Sequence, residues 1–221
     1  MSQKFTVLFD LDGTLVDTAP DLIRAHNHVM KKFGYPSKSI DELRNAVGSG
    51  AKAMMAKDNG KWKWFDEKIQ NEMTDEFISF YGKNILYEST LINGVKEFLE
   101  WCKNQDISMA VCTNKTEFLA IDLLKKIGIY DFFEYVSGYN TFEYCKPDPR
   151  HLLKTIDILD GDKSKSIMVG DSETDANAAK AAEIPMILLK YGYTEKKSKE
   201  IYHNHLIKDF TGIEKIIKKY L

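Results

Sequence analysis

A chain of 221 residues has room for one large domain, or for a core domain that carries a smaller insert. Hydrophobic residues make up 43% of the chain and charged residues 29%, as in an ordinary globular protein. The formal net charge of −2 argues against nucleic-acid or anionic-membrane partners. Three widely spaced cysteines form neither a zinc pattern nor a complete disulfide set, and no apolar run approaches the ~20 residues of a membrane span. We therefore expect a cytoplasmic protein.

The first predicted element is a buried strand that ends in two carboxylates. Five apolar or β-branched residues, Phe5 to Phe9, predict a strand of a parallel sheet. Asp10 and Asp12 follow it and begin on the same face, because side chains alternate along a strand. Gly13 then allows a sharp turn and a close approach to a ligand. In open α/β folds, this end of a strand is where ligands bind.

Two carboxylates this close repel each other unless a cation or a shared proton offsets their charge. Mg²⁺ is the natural cation, because it prefers oxygen ligands and often binds carboxylates together with substrate phosphates. One carboxylate can then attack phosphorus while the other moves a proton. The alternative for such a short pattern is an acidic turn that caps the following helix.

The next segment, residues 18–82, contains helix patterns and no strand pattern. The predicted helices run from 18 to 33, over 39–46 and 50–57 with a turn at Gly48–Gly50, and over 62–82. A helical insert directly after the first strand is best explained as a small cap over the active site. We predict a cap of residues 17–83 and an α/β core of residues 1–16 and 84–221.

From residue 95 onward, predicted helices and strands alternate, which indicates a doubly wound parallel sheet. The predicted strands cover 107–112, 133–136, 166–169 and 185–189, with an edge strand near Leu206. The predicted helices cover 95–104, 116–127, 149–159 and 173–182, and further helices follow residue 194. The predicted fold class is therefore α/β.

Three later stretches place polar residues where such a sheet would meet the first carboxylate. Thr113 and Asn114 follow a predicted strand, although both residue types also begin helices well. Lys146 is followed by Pro147 and Pro149, which stiffen the backbone around it, and its ammonium could neutralise a phosphoryl group, although most lysines lie at the surface. Asp171 ends a strand and Asp175 follows one helical turn later, so the two could complete a magnesium site, although Asp175 could be a first-turn acid.

Taken together, these stretches resemble the four motifs of the haloacid dehalogenase superfamily, in order. The string from Phe9 to Asp17 resembles the first motif in its phosphatase form. The resemblance implies a Rossmann-like core, a nucleophile at Asp10 that becomes an aspartyl phosphate, and a general acid and base at Asp12. It also implies that Asp12 contributes its backbone carbonyl to Mg²⁺.

The later motifs carry further implied roles. Thr113 and Lys146 would contact the phosphoryl oxygens, and Asn114 would orient the substrate. Asp171 would be a direct ligand of Mg²⁺, and Asp175 would support that ligand set. By this resemblance the metal residues are Asp10, Asp12, Asp171 and Asp175.

Most of the chain also resembles the bacterial phosphoglycolate phosphatases. The residues that carry this likeness are Val16–Leu22, Arg44 and Val47–Gly50, Asn93–Val95, and Tyr191–Tyr193. The resemblance implies a small phosphorylated metabolite as substrate, with 2-phosphoglycolate the best guess. It also implies that Gly48, Ser49, Gly50 and Arg44 face the substrate from the cap. Ser49 stands where those phosphatases usually have asparagine. The alternative to a substrate contact is an ordinary turn between helices, with Arg44 in solvent.

Other activities stay open at this point. The same motifs occur in a β-phosphoglucomutase-like isomerase, a pyrophosphatase or a nucleotide phosphatase. A mutase would favour several cations on the inner face of the cap, and only Arg44 is a good candidate. A non-catalytic phosphate-binding relative would be expected to lack Asp10, Asp12 or Lys146, and all three are present. A monomer and a homodimer are both compatible with the sequence.

Overall fold

The structure, a computed structural model, describes residues 3–49, 54, 67–194 and 196–221. Its main feature is a six-stranded parallel sheet in the order β5-β4-β1-β6-β7-β8. These strands are β1 (Thr6–Phe9), β4 (Ser108–Cys112), β5 (Tyr135–Ser137), β6 (Ser166–Gly170), β7 (Met186–Leu189) and β8 (His205–Ile207). A separate antiparallel pair is formed by β2 (Val16–Asp17) and β3 (Thr90–Leu91).

The central strand β1 is buried on both faces, as its apolar run predicts. Val7 and Phe9 point into one apolar cluster, and Leu8 points into a second cluster on the other face of the sheet. Helices cover both faces, which is the arrangement that all-parallel sheets require. The predicted α/β fold class is confirmed.

Eight α-helices are described in the stated residue ranges. They are α1 (Ala19–Lys32), α2 (Ile40–Leu43), α3 (Glu67–Lys83), α4 (Val95–Asn104), α5 (Glu117–Ile127), α6 (Pro149–Ile158), α7 (Glu173–Ala182) and α8 (Glu214–Ile217). Short 3-10 helices span Arg44–Ser49, Tyr130–Phe132, Lys163–Lys165 and Ser198–Glu200. The predicted helix over 50–57 and the predicted start of α3 at residue 62 lie outside the described residues, apart from helical Met54.

The helices between β1 and β3 pack mainly on one another, with α1 against α3. Two short features join this segment to the rest of the chain. One is the β2–β3 pair, which no sequence pattern predicts. The other is Asp21, discussed next. The division into a cap (17–83) and a core stays a prediction.

Asp21 does more than complement the positive end of α1. Its buried carboxylate accepts hydrogen bonds from the backbone N–H groups of residues 87, 88 and 89 and from the hydroxyl of Ser89 at 2.6 Å. Burial alone would raise the pKa of Asp21, but these hydrogen bonds outweigh burial and lower it. Thr18 stands at the N-cap, a position that threonine favours, yet its side chain caps nothing and has no hydrogen-bond partner.

No helix within the described ranges combines the length and the apolar character needed to cross a bilayer.

Candidate active site

The strand register brings three of the four sequence stretches to one edge of the sheet. Phe9 lies opposite Val111 of β4 and Val169 of β6, so the residues that follow these positions meet at the carboxyl ends of the strands. The backbone N–H of Asp10 donates to the carbonyl of Val169 at 2.9 Å, which extends the ladder by one residue. The side chain of Asp10, like those of Thr113 and Asp171, is almost completely buried.

Lys146 joins this edge from the loop before α6. Its Nζ donates to Oδ1 of Asp10 at 2.8 Å and to Oδ1 of Asp175 at 2.6 Å, and its side chain is only 2% exposed. Burial by itself would lower the pKa of Lys146, but the two carboxylates raise it above its usual value, so the ammonium stays charged. An ammonium beside Asp10 suits a site in which a phosphoryl group is transferred to that carboxylate.

Three carboxylates form a compact cluster at this edge. Oxygens of Asp10, Asp171 and Asp175 lie within 4.8 Å of one another. Burial raises the pKa of Asp10 to about 6, against the opposing effect of Lys146. Burial, followed by the charges of Asp175 and Asp10, raises the pKa of Asp171 well above its usual range. One ammonium does not neutralise three carboxylates, so the cluster could hold a divalent cation.

Backbone and hydroxyl donors orient Asp171. Oδ1 accepts from the hydroxyl of Thr14 at 3.0 Å, and Oδ2 accepts from the backbone N–H of Tyr193 at 2.6 Å. A Cβ at Gly13 would lie 2.3 Å from Oδ2 of Asp171, and the φ of Gly13 is +84°. Glycine is therefore required at this turn for both reasons, as the sequence pattern predicts.

Asp175 serves two neighbours at once. Its Oδ2 accepts from the backbone N–H groups of Asp171 and Ser172 and from the hydroxyl of Ser172, which forms a capping box at the start of α7. Its Oδ1 is left for Lys146. The first-turn acid and the active-site partner, which the sequence presents as alternatives, are thus the same side chain.

The carboxylate of Asp12 points to a different partner. Its oxygens accept from Nζ of Lys115 at 2.9 and 3.1 Å, and the same Nζ donates to the hydroxyl of Tyr81 on α3 at 2.9 Å. The side chain of Lys115 is only 4% exposed. Asp12 is not part of the carboxylate cluster that could hold a metal.

Thr113 and Asn114 lie beside Lys146 and Lys115. The hydroxyl of Thr113 accepts from the backbone N–H of Lys115 at 3.2 Å. The side-chain amide of Asn114 donates to the backbone carbonyl of Lys146 at 2.8 Å, while its Oδ1 is buried and has no protein partner. Both residues line the cavity described below, together with Lys146.

A cavity of about 730 Å³ opens between this sheet edge and the helical segment. Asp10, Asp12 and Lys146 line its floor. The opposite wall is mostly apolar and comes from the helices. Its members include Leu22, Val47, Met54, Phe77, Ile78 and Tyr81.

The residues that were expected to face the substrate from the helical segment differ in their surroundings. Arg44 donates to Asp17 at 3.2 and 3.3 Å, and its guanidinium lies 5.2 Å from the ring centre of Tyr193. The backbone of Gly48 and Ser49 belongs to the 3-10 helix that starts at Arg44, and Gly50 lies outside the described residues. The substrate contacts of all four stay a prediction.

Three residues that the sequence reasoning missed hold the site together. Lys115 directly follows the second motif, but nothing local to it indicates burial or a bond to Asp12. Tyr193 links Asp171 to the start of the helical segment, because its hydroxyl donates to Asp17 at 2.5 Å and accepts from the backbone of Ala19. Its only sequence signal is its place in the stretch Tyr191–Tyr193.

The third is His151 in α6. Its Nδ1 accepts the backbone N–H of Lys146 at 3.2 Å, and the residue is completely buried. Burial, followed by the nearby charge of Lys146, lowers the pKa of His151 to about 3, so the ring is neutral and can accept this hydrogen bond. In the sequence, His151 lies within an amphipathic helix, which indicates only an ordinary core residue.

The fold and the carboxylate-lined sheet edge define the class of protein. Residues 7–189 match the family described as haloacid dehalogenase-like hydrolase, and the chain belongs to that family. The sequence-based predictions of the family and of a hydrolase of the phosphatase type are confirmed.

Among individual proteins, the chain is similar to phosphoglycolate phosphatases. It is 38% identical to the phosphoglycolate phosphatase of Agrobacterium fabrum over 218 residues, which cover 96% of this chain and 94% of that protein. It is 34% identical to the phosphoglycolate phosphatase of Mesorhizobium japonicum over 208 residues, covering 94% and 92%. The crystal structure of a predicted phosphoglycolate phosphatase from Haemophilus somnus 129pt has a TM-score of 0.90 at 30% identity, covering 98% of this chain and 99% of that one.

Proposed function

We propose that this protein hydrolyses a small phosphate monoester through an aspartyl phosphate on Asp10, and that 2-phosphoglycolate is its best substrate. One observation carries the mechanism. Asp10 is buried at the end of the central strand, with the ammonium of Lys146 at 2.8 Å and two further carboxylates beside it, on the floor of a large cavity. A carboxylate held in this way is suited to attack phosphorus, because a charged donor already lies where the phosphoryl oxygens gather negative charge.

In the first step, an oxygen of Asp10 forms a bond to phosphorus as the bond from phosphorus to the leaving oxygen breaks. Lys146 and Thr113 stabilise the negative charge on the phosphoryl oxygens. Asp12 gives a proton to the leaving oxygen. Asn114, which lines the cavity, contributes by orienting the substrate.

In the second step, Asp12 takes a proton from a water molecule that attacks the phosphorus of the aspartyl phosphate. The bond between phosphorus and Asp10 breaks, and inorganic phosphate leaves. Asp12 thus ends the cycle with the proton that it gave away. Its place at the cavity, outside the carboxylate cluster, suits this role in proton transfer.

Mg²⁺ is the proposed cofactor. The all-oxygen donor set of Asp10, Asp171 and Asp175, with an excess of negative charge over Lys146, fits a hard divalent cation. Asp10 and Asp171 would hold the ion, together with the backbone carbonyl of Asp12, while Asp175 supports Asp171 and Lys146. When bound, the ion supplies positive charge that offsets the phosphoryl oxygens.

The choice of 2-phosphoglycolate rests on the relatives. Two proteins that align with more than nine-tenths of this chain are named phosphoglycolate phosphatases. Arg44 and the Gly48–Gly50 turn are the proposed contacts from the helical segment. A small, carboxylate-bearing ester is compatible with a turn that offers backbone N–H groups.

The test is phosphate release from a panel of esters, with and without Mg²⁺. The panel holds 2-phosphoglycolate, β-glucose 1-phosphate, pyrophosphate and several nucleotides. We expect Mg²⁺-dependent release with a clear preference for 2-phosphoglycolate. Asp10→Asn should lose at least about 1,000-fold of the activity, whereas Asp157→Asn, a matched change at an exposed aspartate, should keep it.

Each other outcome has a meaning. Broad, weak release would keep the mechanism and reject the substrate. Conversion of β-glucose 1-phosphate to glucose 6-phosphate without release would replace the hydrolase by a mutase. Full activity in Asp10→Asn would overturn the aspartyl-phosphate mechanism.

A further inference from the structure

The cavity is lined by a second cation whose role the reaction above leaves open. Among the residues that the structure describes, the basic side chains lining the cavity are those of Lys115 and Lys146. Nζ of Lys115 makes three contacts, two to Asp12 and one to the hydroxyl of Tyr81. A lysine this deeply buried is unfavourable unless its charge is paired. Its partner here is not a structural carboxylate but the proposed proton donor.

The two cations, Lys146 and Lys115, are paired with residues that act on different atoms in the proposed reaction. Lys146 is held between Asp10 and Asp175, on the side of the attacking oxygen. Lys115 is held by Asp12, which must reach the oxygen on the opposite side of phosphorus. Lys115 is therefore the cation on the side of the leaving group. The backbone N–H of Lys115 donates to the hydroxyl of Thr113, which keeps Lys115 close to the proposed phosphoryl site.

Among the described residues that line the cavity, Lys115 and Lys146 are the basic ones that could neutralise an anionic leaving group. Tyr81 contacts Lys115, and Phe77 and Leu119 line the same cavity. Tyr81 offers a neutral hydroxyl, since burial raises its pKa well above the usual range. The carboxylate of a short substrate would enter the side of the cavity on which Lys115 lies and could pair with its ammonium.

The present pair also has to open for catalysis. Both carboxylate oxygens of Asp12 accept from Nζ of Lys115, so neither is free to meet a leaving oxygen while the pair is closed. Asp12 can protonate a leaving oxygen only after Lys115 has exchanged it for another partner. An anionic group on the substrate is such a partner.

We infer that Lys115 is a specificity-determining residue that binds a carboxylate on the leaving group and, by doing so, releases Asp12 for proton transfer. This inference rests on the proposed phosphatase function and names the class of substrate for it. The carboxylate of the substrate replaces Asp12 on Nζ. Asp12, now free of Lys115, gives its proton to the leaving oxygen as the P–O bond breaks and regains a proton from the attacking water in the second step. A neutral leaving group leaves Asp12 paired and is a poor substrate.

The test compares two esters that differ only in charge at the far end, 2-phosphoglycolate and its neutral amide, 2-phosphoglycolamide. The quantity is the ratio of their kcat/KM values in the presence of Mg²⁺. In Lys115→Met this ratio should fall roughly 10- to 100-fold, the usual weight of a hydrogen bond to a charged group. Lys115→Gln keeps donors for Asp12 and Tyr81 but loses the charge, so it should show a similar fall even if the methionine variant folds poorly. Lys125→Met, at an exposed lysine of α5, the helix that follows Lys115, should keep the wild-type ratio.

A binding experiment makes the result independent of turnover. Calorimetry measures 3-phosphonopropionate, in which a methylene replaces the ester oxygen of 2-phosphoglycolate, against 3-phosphonopropionamide. The wild type should prefer the acid, and Lys115→Gln should lose that preference.

The outcomes separate the two claims. Equal loss on both esters, with no change in the ratio, would mean that Lys115 only supports the structure, and it would overturn the inference. The same conclusion follows if the wild type binds the acid and the amide analogues equally. If the wild type releases no phosphate from any ester but still prefers the acid analogue, the phosphatase function fails while the binding role of Lys115 stands.

Discussion

The two sides of the cavity are built by different kinds of interaction. At the sheet edge, Asp10, Thr113 and Asp171 are positioned by backbone register, because each follows a strand of one parallel ladder. On the helical side, each side chain is held by its own contact with another side chain. Examples are the hydrogen bond from Lys115 to Tyr81 and the one from Arg44 to Asp17. Register places several groups at once, whereas a side-chain contact places one. We infer that changes at the sheet edge affect the whole site, whereas changes on the helical side affect substrate choice.

The junction between the two sides combines both kinds of interaction. The β2–β3 pair joins them through the backbone, and Asp21 joins them through one carboxylate that serves the backbone of residues 87–89. Tyr193 is a third link, from Asp171 to Asp17. The four predictions that follow test this division, from the largest expected effect to the smallest.

Lys146→Met should have the largest effect on stability. It leaves the carboxylates of Asp10 and Asp175 buried without their ammonium, and breaking a buried ion pair in this way lowers the free energy of unfolding by about 3–5 kcal/mol. The loss should be measured by urea unfolding in metal-free buffer at pH 7. It should be smaller near pH 4, because Asp10, whose pKa burial raises to about 6, is then protonated.

Lys154→Met is the control, since Lys154 is an exposed lysine on the following helix. It should change the free energy of unfolding by less than about 0.5 kcal/mol. A comparable small change in Lys146→Met would show that the sheet edge does not depend on this ammonium.

Mg²⁺ should stabilise the fold more at pH 7.5 than at pH 5. Burial raises the pKa of both Asp10 and Asp171, so the metal-free folded state holds protons more tightly than the unfolded state. Metal-free stability therefore falls as the pH rises from about 4 through 6, and Mg²⁺ replaces the lost protons. At 100 times its Kd, Mg²⁺ contributes about 2.7 kcal/mol. In a chain of this length that raises Tm by roughly 5–10 °C.

Differential scanning fluorimetry checks this expectation, with Asp171→Asn as the comparison. The variant removes one of the repelling charges, so it should lose most of the Mg²⁺ effect and should be at least as stable as the metal-free wild type at pH 7.5. An equal rise in Tm at pH 5 and pH 7.5 would contradict the metal assignment.

Asp21→Asn tests the junction. The amide can accept fewer of the hydrogen bonds that converge on this buried carboxylate, and we expect the free energy of unfolding to fall by about 1–3 kcal/mol at pH 7. The pKa of Asp21 is lowered in the fold, so its stabilising effect is present above its unfolded pKa near 4 and is lost as the pH falls through the folded value. The gap between variant and wild type should therefore narrow in acid. A gap that does not change with pH would mean that the charge of Asp21 is unimportant.

Arg44→Met should have the smallest effect on stability. Arg44 and Asp17 are each about a third exposed (36% for both side chains), and pairs of this kind contribute at most about 1 kcal/mol. The KM for 2-phosphoglycolate, measured on the same variant, decides the separate prediction that Arg44 faces the substrate. A rise in KM would support that prediction, and a loss of stability above about 2 kcal/mol would contradict the division between the two sides.

Much of the sheet edge could be predicted from the sequence. Strand periodicity and the short polar sequences after each strand predict the fold class and the cluster around Asp10. Each of these signals lies within a few neighbouring residues, so it can be recognised without the tertiary structure. Lys146 is predicted there from its setting just before Pro147 and Pro149, which resembles the third motif of the family. Asp175 shows a limit, since the sequence presents a first-turn acid and an active-site residue as alternatives, whereas its side chain both caps α7 and accepts from Lys146.

The helical side could be predicted only in part. Helical spacing predicts α1 and most of α3, but it does not indicate that Tyr81 would meet a lysine 34 positions later, or that Asp21 would bind a loop 66 to 68 positions later. Thr18 illustrates the same limit, because threonine favours helix capping, yet this buried side chain makes no capping hydrogen bond.

By itself, then, the sequence determined the α/β fold, the family and the groups gathered at the strand ends, since these follow from local periodicity and from the geometry of a parallel sheet. Tertiary structure decided the partners of Asp12, the surroundings of Arg44 and the links through Tyr193 and Asp21. Those contacts join residues that are distant in the chain, and their geometry depends on how whole helices pack against the sheet.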